Sequence, residues 1–205
     1  MKHEWKKHEK ALYLPKTVPE IILVPELTYF ALKGEGNPND AFFSEYIEAL
    51  YSVSYAVKMS YKSSEPPKDY YEYTVYPLEG IWDLIDPTLG PKDKSNLKFE
   101  LMIRQPSFLN ESQVLDFLRS TGQKKNNPLI GQIEYKTFKE SLCAQMMHEG
   151  PYDDEPASFE IMEQFCHDQG YERISKIHKE IYISDARKTA PEKLKTVLRF
   201  EVQKR

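Results

Sequence analysis

The sequence predicts an α+β fold in which tandem strand-helix-strand-strand repeats form one antiparallel sheet, with helices on one face and a ligand cleft on the other. Three observations predict it. Several runs alternate apolar and polar residues with the two-residue period of a strand. Two longer segments carry apolar residues at three- and four-residue steps, as helices do. Each of those helical segments follows a strand that ends near a glycine, Gly34 in the first case and Gly150 in the second. The layout divides the 205 residues into related halves, roughly 20–105 and 134–205, joined by a helical linker over 106–133 within a single domain.

The elements follow in order. Residues 20–34 read as strand material interrupted at Pro25, which cannot donate to a ladder, and Gly34-Glu-Gly-Asn-Pro38 ends it in a turn. Over 40–61 the residues Phe43, Tyr46, Ile47, Leu50, Val53, Val57 and Tyr61 form one helical face, with Asn39 or Asp40 as the cap. Strands are expected over 70–77, 79–85 and 97–104, with a loop over 86–91 between the last two. Asn110 caps a short helix over 114–120 that leads into a polar loop. In the second half, 135–149 reads as one strand, 153–170 as a helix with a Phe159, Met162, Phe165 and Cys166 core face, and 177–184 and 195–202 as strands.

Composition narrows the function classes. A net charge of −4 provides no electrostatic footprint for nucleic acid, so direct nucleic-acid binding is not expected. No apolar run approaches the length of a membrane span. The charged first ten residues lack the apolar stretch of a secretory signal, which makes a cytoplasmic location the default, and they read as a solvated lead-in. Cys143 and Cys166 have no metal-ligand spacing and read as buried thiols. Neither a metal nor a cofactor is called for. The 14 tyrosines and 10 phenylalanines fit either strands or the walls of a pocket for a flat ligand.

Residues 148–185 hold the most chemistry. In an extended run His178, Glu180, Tyr182 and Ser184 share one face while Ile181 and Ile183 share the other. The isoleucine face belongs in a core. Glu180 then meets either water, as in a half-exposed strand, or a pocket between the two halves. In an apolar pocket its pKa would rise and it would serve as a base.

His148-Glu-Gly-Pro-Tyr152, Glu180-Ile-Tyr-Ile-Ser-Asp185 and Pro191-Glu-Lys-Leu194 with Val197-Leu-Arg199 resemble the GyrI-like family of small-molecule-binding domains. Tyr76-Pro-Leu-Glu-Gly-Ile-Trp82 and Leu101-Met-Ile-Arg-Gln-Pro-Ser-Phe108 resemble its stand-alone branch, the cyclopropanoid cyclopropyl hydrolases. The resemblance covers nearly the whole chain. It implies a cleft that receives flat hydrophobic, aromatic or cationic compounds over a buried acid, matched here by Glu180. It also implies hydrolysis of the cyclopropane ring of DNA-alkylating natural products as a protective activity. No helix-turn-helix segment precedes the domain, which leaves catalysis, ligand sequestration or inhibition of a protein partner such as gyrase.

Catalysis would draw on Glu180, on Tyr182 as a hydroxyl donor, and on Glu79, which reads either as a second cleft carboxylate or as a turn residue before Gly80. Trp82, Tyr152 and Phe108 are candidate walls for the ligand. Met147 and His148 point to opposite strand faces, so at most one of them lines the cleft. The run Asp153-Asp-Glu155 reads as a charge cluster at a helix N-terminus and not as a metal site.

Overall fold

The computed structural model describes residues 2–90 and 93–205; Met1, Lys92 and Pro91, the last residue of the expected 86–91 loop, lie outside it. Its elements in order are α1 (Trp5–His8), α2 (Lys10–Tyr13), β1 (Glu20–Leu23), β2 (Leu27–Glu35), α3 (Phe43–Met59), β3 (Leu78–Leu84) and β4 (Leu97–Arg104). They continue with α4 (Glu111–Lys124), β5 (Glu134–Phe138), β6 (Leu142–Glu149), α5 (Glu155–Asp168), β7 (Tyr171–Arg173), β8 (His178–Tyr182) and β9 (Lys195–Lys204). The class is α+β with antiparallel strand pairs. No helix among the described residues is long and apolar enough to cross a membrane.

The chain forms two compact units. The first comprises residues 1–5, 27–78 and 84–138. In it β2 is central, paired to β4 and β5, and α3 and α4 pack together. Leu32 lies opposite Leu101 and Phe30 opposite Ile103, all buried, and α3 adds Leu50, Val53 and Val57 to the core. Gly34 is required where it stands, because a Cβ there would come within 2.5 Å of the Phe99 ring. Asn110 caps α4 through a reciprocal pair with Gln113.

The second unit comprises residues 6–26, 79–83 and 139–205. Its strands run in the order β1, β6, β9, β8, β3, with β7 pairing the far end of β9. Helix α5 covers one face, where Met162 and Cys166 meet Ala144, Met146, Leu198, Phe200 and Val202. The β6–α5 connection turns at Gly150, whose φ of +139° a side chain would strain.

The opposite face of this sheet carries a polar row beside the apolar Met147, Val197 and Ile181, buried at its centre. Cross-strand register aligns Glu20, Gln145, Arg199, Lys179 and Ile81 in one row across five strands. Arg199 is 2% exposed and donates to Gln145 Oε1 at 2.8 Å, Leu12 O at 2.7 Å and Glu140 Oε2 at 3.4 Å. Gln145 Nε2 in turn donates to Ala11 O at 2.7 Å and Glu20 Oε1 at 2.8 Å. Lys179 completes the group as an ion pair with Glu140. These bonds hold the chain around α2 against the sheet.

Several expected boundaries are corrected. Residues 70–77 form no strand and only Tyr73 bridges, to His3, because the stretch is tied by side chains such as Tyr70 Oη to Lys58 O. The expected 135–149 strand is two strands broken at Lys139-Glu-Ser141, where Glu140 turns into the buried ion group. Helix α3 starts later than its expected cap, with Asp40 giving a backbone carbonyl to Phe43 N. The first ten residues are solvated along most of their length but anchored at Trp5, which is buried with its indole N–H on Val75 O.

Arg199→Leu should cost about 3–5 kcal/mol, because it leaves the buried Glu140 and Glu79 to share Lys179 and strips Gln145 Oε1 and Leu12 O of their donor. Urea unfolding will read this loss, and Arg199→Leu/Glu140→Gln should recover part of it.

Candidate functional site

The α5 side of the second unit carries the candidate site. Glu180 lies opposite Leu198 of β9 and opposite Gly80 of β3, and cross-strand partners point to the same face. Leu198 belongs to the α5 cluster, so Glu180, His178 and Tyr182 face the helix. This corrects the expectation that they occupy a face free of helices. Both faces of the sheet are covered, α5 on one and the N-terminal chain on the other, so burial of Ile181 does not identify the helix side.

Glu180 is 9% exposed and surrounded by donors. Tyr182 donates its hydroxyl to Glu180 Oε2 at 2.8 Å and accepts from the Trp82 indole N–H at 2.9 Å. His178 Nε2 lies 3.2 Å from Glu180 Oε1, and its Nδ1 lies 3.3 Å from Lys176 O. The ring is thus held at both nitrogens, between a backbone carbonyl and the Glu180 carboxylate. The His178 ring meets Phe159 edge to face at 4.7 Å, and Tyr152 meets Tyr182 likewise at 5.9 Å.

Glu155, the first residue of α5, is the second carboxyl of the site. It is 6% exposed and hydrogen-bonded to Glu180. Burial, and then the charge and hydrogen bond of Glu180, push its carboxyl well above the usual range. One of its oxygens, Oε1, is buried with no hydrogen-bond partner. Burial followed by Glu180 also raises the Tyr182 phenol, the Trp82 bond acting the other way. The same causes push Tyr152 up to about 12.

Of the residues singled out in the sequence, Glu180, Tyr182, Trp82 and Tyr152 come together. Trp82 is 6% exposed and holds Tyr182 through its N–H. Glu79 lies opposite Ile181 and so on the other face, 3.4 Å from Lys179 Nζ; burial raises its carboxyl against the pull of Lys179 and Arg199. The expected approach of Glu79 to Glu180 is thereby corrected: adjacent register positions send them to opposite sides. Met147 shares the Glu79 face and lines a depression of about 430 Å³ with Leu14, Val18 and Lys195. His148 is on the α5 face with both ring nitrogens taken, by Ser158 Oγ at 2.9 Å and Pro151 O at 3.0 Å, which ties β6 to α5. Phe108 belongs to the first unit, where its ring contacts Tyr70, Tyr71 and Tyr73. Sequence reasoning did not single out Glu155, His178 or Phe159 as site residues. His178 was signalled by its place two residues before Glu180; Glu155 looked like one of three equivalent acids.

A buried acid held among aromatic rings on a strand of an α+β unit is the setting of a small-molecule-binding domain. The chain belongs to the GyrI-like small molecule binding domain family, whose sequence profile matches residues 17–203. Two Listeria innocua structures are similar over nearly the full length. One, an uncharacterized conserved protein, is 33% identical with a TM-score of 0.92, covering 98% of this chain and 100% of its own. The other, described as a hydrolase, is 32% identical with a TM-score of 0.89, covering 98% and 100%. The EcmrR C-terminal domain, at 17% identity and a TM-score of 0.53 over 91% of this chain and 98% of its own, shares the fold. No curated protein matches.

Because Glu155 has a raised pKa in the folded state, the stability it contributes is full below its ordinary value near 4.5 and is lost as pH rises through the folded value. Glu155→Gln should therefore gain in melting temperature relative to the parent between about pH 5 and 8, at roughly 2–4 °C per kcal/mol recovered. Parallel melting curves across that range will check it.

Proposed function

We propose that the protein hydrolyses small molecules at Glu180, and that its substrates are the cyclopropanoid DNA-alkylating compounds which the family resemblance implies, so that it acts in detoxification. The observation that carries this reading is the Glu180 carboxylate, nearly buried and oriented by Tyr182 and His178, which are in turn held by Trp82 and Tyr152 and by Phe159. The full-length similarity to two Listeria proteins described as hydrolases, 32% and 33% identical, supports hydrolysis.

In the reaction, a water oxygen attacks the CH₂ of the strained ring and loses a proton to Glu180. The breaking C–C bond sends its electron pair into the conjugated carbonyl, which becomes an enolate or phenolate oxygen, and return of the proton from Glu180 completes the addition of one water. Ring edges and faces around Glu180 exclude bulk water and orient a flat substrate.

Incubation of a cyclopropanoid with the protein, followed by mass spectrometry, should show a product heavier by one water. Glu180→Gln should reduce its formation about a hundredfold or more. Equal turnover by both proteins would remove Glu180 from the reaction, and tight binding without any product would make the protein a sequestering module.

A further inference from the structure

We infer that the hydroxyl of Thr196 holds the water that Glu180 deprotonates, so that Thr196 positions the nucleophile of this site. The inference rests on the hydrolytic reading above and adds to it the place from which water attacks. Three observations carry it. Thr196 lies on β9 between Tyr182 of β8 and His148 of β6 in the cross-strand register, so its side chain is on the α5 face with theirs. It is 1% exposed, and its Oγ1 meets no hydrogen-bond partner among the described residues. The polar groups on either side are already taken: Tyr182 Oη donates to Glu180 and accepts from Trp82, and both His148 nitrogens are held by Ser158 and Pro151.

A buried hydroxyl left so costs about 1–3 kcal/mol. A water molecule recovers that cost where a second polar group stands within its reach. Glu180 is that group. It pairs with Leu198, two residues along β9, so Thr196 and Glu180 are diagonal neighbours on one face. Such positions stand about 7–8 Å apart, a span that the glutamate side chain and one water bridge. Glu180 Oε2 accepts from Tyr182 and Oε1 lies beside His178, and a carboxylate oxygen has a further lone pair for water.

The step balances with water alone. Water donates one hydrogen to Glu180 and the other to Thr196 Oγ1, which turns its lone pair away from both and toward the incoming ring CH₂. As the O–C bond forms, the proton on the Glu180 side passes to the carboxylate, and the C–C pair goes to the conjugated carbonyl. The hydrogen on the Thr196 side stays with the new hydroxyl. Glu180 then returns its proton to the enolate or phenolate oxygen, which leaves a product heavier by one water. Methanol can follow the same path through Glu180, but it has no second hydrogen for Thr196.

The test uses the full chain and a cyclopropanoid with a conjugated carbonyl, in buffer containing methanol. Mass spectrometry reads the ratio of water adduct to methanol adduct, corrected for the uncatalysed reaction, for the parent, Thr196→Val and Thr196→Ser. Valine keeps the branched shape and suits a strand, and melting curves check the folding of both variants. Thr196→Val should lower kcat for hydrolysis about tenfold, as the loss of one hydrogen bond predicts, and should lower the water-to-methanol ratio with KM little changed. Thr196→Ser should keep the parental ratio. Absence of turnover by the parent would reject the hydrolytic reading itself. Turnover by the parent, with either the parental ratio in a folded Thr196→Val or a lowered ratio in a folded Thr196→Ser, would reject Thr196 alone.

Discussion

The second unit depends on β8, a five-residue strand buried on both faces, staying in register. A slip of one residue would exchange Lys179 and Ile181 for Glu180 and His178 and put each set in the wrong surroundings. Hydrophobic burial alone would resist this weakly, since only Ile181 is aliphatic. The specific resistance is electrostatic. Lys179 must reach Glu140 and Glu79 on the side of the N-terminal chain, and Glu180 must reach Tyr182, His178 and Glu155 on the side of α5. Removing either set of partners would leave a charge in a low-dielectric place, which costs several kcal/mol.

The two faces solve the problem of buried charge differently. On the Lys179 side, cations outweigh desolvation for one acid: burial works against it, but Lys179 and Arg199 hold the Glu140 carboxyl below its usual range. That group is a fixed ion pair with its hydrogen bonds directed at backbone carbonyls of α2. On the Glu180 side there is no lysine or arginine among the groups that bond the acid. The acid is met instead by the Tyr182 phenol and the His178 imidazole, with the raised Glu155 carboxyl beside them. The first arrangement suits structure, since it fixes Glu140 between two cations. The second sets two carboxyls side by side, of which Glu155 is held above its usual range.

Alternation was enough to put His178, Glu180 and Tyr182 on one face, because strand periodicity is local and the run is unbroken. The α+β class, the antiparallel pairing and the α5 core face were legible for the same reason. Which side of the sheet that face meets was not, since it depends on β9 and on residues 6–26, far away in sequence. A chain that covers the second face makes burial useless as a compass. Glu79 was misplaced by the same route: a position in a repeat says nothing of strand phase, and one residue of phase separates Glu79 from Gly80, which does lie beside Glu180. Glu155 was hidden otherwise. Asp153, Asp154 and Glu155 are equivalent as helix-start acids, and only the turn over Tyr152–Asp154 before α5 decides which of them meets β8.

The raised carboxyl of Glu155 also bears on what kind of ligand such a site prefers. A pocket that holds cations by charge improves with every carboxylate that ionises in it. Glu155 works the other way, since burial and the neighbouring charge of Glu180 both resist its ionisation. A cation would therefore meet less charge than two carboxyls could supply, whereas a neutral molecule loses nothing by this. On the hydrolytic reading, the raised Glu155 carboxyl is what separates a site suited to a neutral ligand from one built to hold a cation.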